Sequence, residues 1–173
     1  AVSEAGGLGV LGCSGLSPEE IRRRIKAVRA LTDKPFGVDL LLPATLAPAA
    51  TTRSGVRAEL DEKFPEHVAF YRNLLTRFEL AEAPVQDDIV ISSEFIEAQI
   101  AVTLEEHVPV FAAGLGDPGR VTGRAKAQGM VTLGLAGSPR NAARQVEAGV
   151  DAVVAQGTEA GGHTGRVANF ALI

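Results

Sequence analysis

The chain has one cysteine, few aromatic residues and no long apolar run, and each shortage removes a class of protein. The lone thiol, Cys13, excludes an internal disulfide and fits a reducing, cytoplasmic compartment. No apolar run approaches the roughly 20 residues that a membrane-spanning helix requires, and no secretory signal is visible. No pair among His, Cys, Asp and Glu shows a ligand spacing such as His-x-x-x-His, so no metal centre is expected. A serine-nucleophile motif and a Walker phosphate loop are missing as well. The formal net charge of −4 argues against a nucleic-acid partner. The single basic cluster, Arg22, Arg23, Arg24, Lys26 and Arg29, falls on an expected helix and reads as its solvated face.

What is present points to an α/β protein. The chain has 173 residues, 46% of them apolar, with 19 glycines, enough for a real core joined by many tight turns. Short apolar runs at 108–113, 130–136 and 152–155 have matching points at Val110, Val131 and Ala152, spaced 21 residues apart. Unbroken apolar character, rather than alternation, suits strands buried on both faces of a parallel sheet. Right-handed crossovers then follow. Two further strands are expected at 8–11 and 35–42.

Helix boundaries are well marked. Ser17-Pro18-Glu19-Glu20 combines an N-cap, a proline at the first helical position and a capping-box acid. Ile21, Ile25 and Val28 then form one apolar stripe. Asp117-Pro118 and Ser138-Pro139 repeat the cap-then-proline device, and Gly129 and Gly149 stand where left-handed residues end helices. The stretch 44–88 breaks the rhythm and is expected to be a helical insertion after a strand end, where α/β barrels place lids and substrate contacts. Within it, 44–52 reads as loop and 56–80 as helix, with Pro65 marking a restart.

Five strands are counted, near residues 10, 38, 110, 132 and 153, whereas a closed barrel needs eight. Residues 1–5 resemble the last turn of a helix ended by Gly6-Gly7, and 170–173 stop inside an apolar segment. The expectation is therefore a partial (β/α)8 domain over 1–173.

Loops after parallel strands carry the ligands in such architectures. Asp39 sits in an apolar strand, where an acid is costly unless paired; it is either a hydrogen-bonded structural residue or a ligand contact. The run 112–117 holds two glycines that either admit a flat ligand or serve the turn before Asp117. Residues 156–165 hold four glycines and His163, which suits proton transfer near neutral pH, although a plain surface histidine also fits. His67 and His107 fall on helical stretches and read as structural or solvent-facing, and Cys13 as a small buried residue.

Four blocks, AVSEAGGLGVLG (1–12), TDKPFGVDLLLP (32–43), EEHVPVF (105–111) and EAGVDAVVAQGTEAGGHTG (147–165), resemble the nitronate monooxygenase family, formerly called 2-nitropropane dioxygenases. The resemblance implies an FMN-dependent TIM barrel that oxidises alkyl nitronates with dioxygen to carbonyl compounds and nitrite. It implies that Gln156, Gly161 and Gly162 contact FMN and that His163 is the catalytic residue that removes the α-proton of a nitroalkane. Asp39 matches a position that usually holds an asparagine bonded to the flavin; an acid there implies an acceptor-only contact or weaker flavin affinity. The loops that hold the FMN phosphate would lie outside 1–173. The expected partners are a nitronate or nitroalkane and dioxygen, with no nucleic acid and no membrane, and a homodimer is a candidate assembly. The same motifs leave open an enoyl-acyl-carrier-protein reductase or a quinone reductase using NAD(P)H. They also leave open a non-catalytic remnant of a flavin fold.

Overall fold

The computed structural model describes residues 1–46, 51–84, 91–163 and 165–173. Parts of two expected segments, 47–50 and 85–88, together with Thr164, lie outside the described residues. The elements in chain order are β1 (Gly9–Gly12), α1 (Pro18–Arg29), β2 (Phe36–Leu42), α2 (Arg53–Lys63), α3 (Pro65–Arg77) and α4 (Ser93–Glu105). They continue with β3 (Val110–Gly116), α5 (Gly119–Lys126), β4 (Val131–Ala136), α6 (Pro139–Glu147), β5 (Ala152–Ala155) and a single turn, α7 (Asn169–Leu172). The chain divides into two compact units, Ala1–Thr45 with Phe95–Ile173, and Leu46–Glu94.

In the first unit the strands form one parallel sheet in the order β1-β2-β3-β4-β5. Sequential order with a helix in each crossover is singly wound, the arrangement of a barrel rather than of a doubly wound sheet, whose order reverses. The two faces of the sheet differ sharply. Val38, Leu40, Leu42, Phe111, Ala113, Thr132 and Ala136 point to one side and are almost fully buried. Helices supply that cover, α5 and α6 against β4 among them.

On the other face, pairing aligns Val10, Gly37, Val110 and Val131 in one row, and Gly12, Asp39, Ala112, Leu133 and Ala152 in the next. Here Val10 and Val131 are each 46% exposed and Val154 is 43% exposed. This is the more open face of the sheet, although Val110 and Ala112 in its rows are buried.

Local chemistry explains the helices. The Ser17 hydroxyl accepts from the Glu20 N–H at 3.2 Å, Pro18 opens α1, and Ile21 and Ile25 are its buried stripe. Ser138 caps α6 in the same way, through the Asn141 N–H at 3.2 Å. The third expected cap differs. Helix α5 starts at Gly119 behind Pro118, and the Asp117 carboxylate accepts from the Gly119 N–H at 2.8 Å in a turn outside the helix. Gly129 and Gly149 are left-handed, with φ of 73° and 83°, and close α5 and α6. His107 is not helical: it adopts φ 48° and ends α4. The basic face of α1 is solvated, its arginines 39–69% exposed, and two of them also pair beyond the helix. Arg22 pairs with Glu105 and Glu106 at 2.5 Å, and Arg29 pairs with Glu106 at 3.0 Å.

The second unit holds α2 and α3, broken at Phe64-Pro65 as a proline restart requires. Arg57 lies 5.2 Å over the Tyr71 ring, and Arg72 reaches Asp61 at 2.9 Å. Among the described residues, no helix is long and apolar enough to cross a membrane.

Candidate functional site

The expected site residues fall on two centres: Asp39 in the middle of β2 beside β3, and the loop after β5. The first centre depends on an irregularity. Leu40 pairs with Ala113 but Leu41 pairs with Leu115, so Gly114 is an extra residue in β3, a β-bulge. The bulge brings Gly114 against Asp39. A Cβ at position 114 would stand 2.7 and 2.8 Å from the two Asp39 carboxyl oxygens, closer than any real side chain tolerates.

Three further contacts hold the bulge. Gly116 has φ 99° and lies against the Leu42 carbonyl, a conformation reserved for glycine. The Gln145 side chain of α6 donates to the Gly116 carbonyl at 3.1 Å, and the Asp117 N–H donates to the Leu42 carbonyl at 3.2 Å. The run 112–117 is thus strand as far as Gly116 and not a loop.

Asp39 itself is poorly compensated. Its Oδ1 is buried and has no hydrogen-bond partner among the described residues. Burial pushes its carboxyl up to about 6, and the neighbouring Gly114 N–H opposes this only in part. The residue therefore takes up a proton in mild acid and gains a donor that an ionised carboxylate lacks. Cys13, whose N–H donates to the Asp39 carbonyl at 3.0 Å, is fully buried, and desolvation raises its thiol.

The second centre is anchored at both ends. The Gln156 N–H donates to the Ala136 carbonyl at 2.9 Å, continuing the β4–β5 ladder. The Gly157 N–H donates to Asn169 Oδ1 at 2.6 Å, and the Glu159 carboxylate accepts from the Asn169 N–H at 2.9 Å, which lowers its pKa. The Thr158 N–H donates to the Val167 carbonyl at 3.0 Å. Gly137 and Gly165 touch backbone to backbone: a Cβ on Gly137 would lie 2.9 Å from the Gly165 Cα.

Between these anchors Gly161, Gly162 and His163 are exposed. Gly162 has φ 70°, and a Cβ on either glycine would meet nothing within 4 Å. The loop thus presents backbone and one imidazole on a fixed base. Gln156 is half-buried at its foot.

The sheet order separates the two centres by β4, and no direct contact joins Asp39 to Gln156 or His163 among the described hydrogen bonds. His67 is an exposed residue of α3, paired with Glu66 at 3.1 Å. No cluster of His, Cys, Asp or Glu that could hold a metal occurs among the described residues. Two features that the sequence did not mark matter here. Gln145 is one, and no sequence signal marks it. The other is Gly114 as a bulge, for which an isolated glycine within a strand pattern is the available signal.

A family model described as nitronate monooxygenase matches residues 1–173. A nitronate monooxygenase of Pseudomonas aeruginosa is 40% identical over 169 residues, covering 95% of this chain and 44% of the relative. A Mycobacterium tuberculosis protein described as a monooxygenase is 35% identical over 183 residues, covering 100% of this chain and 48% of the relative. Among solved structures, a nitroalkane oxidase from Streptomyces ansochromogenes matches with a TM-score of 0.69 and 32% identity, over 95% of this chain and 43% of that one. FabK from Thermotoga maritima matches with a TM-score of 0.66 and 30% identity, over 99% of this chain and 39% of that one. The chain thus spans about half the length, or less, of the relatives it matches.

Proposed function

Because this chain belongs to the nitronate monooxygenase family, we propose that the protein is an FMN-dependent oxidoreductase that converts alkyl nitronates and dioxygen to carbonyl compounds and nitrite. The observation that carries this reading is the pinned loop after β5, which offers exposed glycine backbone beside one imidazole. The residues suit a flat ring with polar edges. Gly161 and Gly162 leave open space, and Gly12 and Ala112 beside Asp39 add at most a methyl group. Asp39 Oδ1 is a buried polar atom in need of a partner.

In this reading Asp39, Gln156, Gly161 and Gly162 hold the flavin, which when bound supplies the electron acceptor. With a neutral nitroalkane, an imidazole nitrogen of His163 takes the proton from the carbon α to the nitro group and so forms the nitronate. The exposed loop position leaves that proton an exit to solvent.

The test is the visible spectrum of the purified full-length protein and its steady-state kinetics. A flavin spectrum is expected, with oxygen-dependent nitronate turnover. His163→Asn should lower kcat/KM about a hundredfold or more with a neutral nitroalkane and far less with its preformed nitronate. A colourless protein that takes up no FMN would sink the reading. NADH oxidation coupled to an enoyl thioester or a quinone, without nitronate turnover, would replace it with a reductase.

A further inference from the structure

Asp39 is the only polar side chain in the paired rows of the open sheet face. In its own row the neighbours are Gly12 and Ala112, neither of which can pair with a carboxylate, and a Cβ at Gly12 would meet nothing within 4 Å. The β3 bulge presses Gly114 against the carboxyl group and fixes its position, while Oδ1 stays without a partner. The surrounding charges do not compensate it. The segment after β1 brings only the Cys13 thiol, which feels Asp39 as well as Arg24 and Glu20 of α1, and β3 carries no titratable side chain. A carboxylate here would be offset only by the Gly114 N–H, on an otherwise apolar face. A neutral acid is a donor in search of an acceptor.

We propose that Asp39 acts as a neutral carboxylic acid that donates a hydrogen bond to the bound flavin, so that cofactor binding is linked to the uptake of one proton at this residue. The proposal rests on the flavin reading above. It replaces the acceptor-only contact expected from the sequence with a donor that is present in acid and lost toward alkaline pH. An amide at this position would donate at every pH, so Asp39→Asn is the informative variant.

The experiment is a fluorescence titration of the protein and of Asp39→Asn with FMN and with riboflavin, from about pH 5 to about pH 8. Riboflavin is included because the FMN phosphate itself titrates near pH 6. Circular dichroism checks that the variant is folded. The unsubstituted protein should lose affinity for riboflavin by about tenfold per pH unit above the Asp39 titration, while Asp39→Asn stays flat. If both proteins bind with the same pH dependence, the proton linkage is overturned and the flavin reading stands. If neither binds either flavin at any pH, the flavin reading and the linkage fall together.

Discussion

Asp39 and Gly114 act as one unit. The acid occupies the space into which a side chain at 114 would project, so Gly114→Ala must displace either the carboxyl group or the bulge. A loss of about 1–3 kcal/mol is expected by chemical denaturation, in line with other overpacking substitutions. The same change in an Asp39→Ala background should cost distinctly less, which a double-mutant cycle would read. Asp39 was legible in the sequence as an acid out of place in an apolar strand, but its partner was not. Register is set by pairs 73 or 74 residues apart in the chain, and no local pattern says which residue of β3 will be the extra one. Gln145 was hidden for a related reason. Its polar side chain reads as solvent-facing, yet it is buried where Gly134 provides no side chain to exclude it.

The helices and strands themselves were largely legible because local chemistry decides them. Ser17 and Ser138 precede prolines and acquire their cap bonds, and replacing either with alanine should cost about 1 kcal/mol in urea unfolding. Strands appeared as unbroken apolar runs, and β5 matches its expected bounds at Ala152–Ala155. Helix α4 is the instructive case. Ile96, Gln99, Ile100, Val102, Thr103 and Leu104 are all buried, so its faces do not alternate in polarity and no stripe marks it as a helix. The fold class follows from the elements together: α/β, with five sequential parallel strands of the (β/α)8 type, as in the solved relatives.

At the scale of the molecule, two carboxyl groups give opposite pH dependences. Asp39 has its folded pKa raised from 3.8 to about 6, so the folded state binds more protons than the unfolded state between those values. Its favourable contribution is complete below 3.8 and is lost as pH rises through about 6, an effect on the order of 1–2 kcal/mol once partial exposure is discounted. Asp151 is held down to about 2, first by Lys126 at 2.9 Å and then by Thr132. Its contribution is present above 3.8 and is lost as pH falls through about 2. Thermal unfolding across this range should show Asp39→Asn flattening the decline near pH 6, with the acid limb unchanged.

The titration of Asp39 has a colloidal counterpart. The sequence isoelectric point is about 5.4, so the molecule loses its net charge over the same acidity at which Asp39 takes up a proton. Copies of the chain then carry no net charge to keep them apart. Conditions that favour the donor form of the acid are therefore also those in which self-association is least opposed.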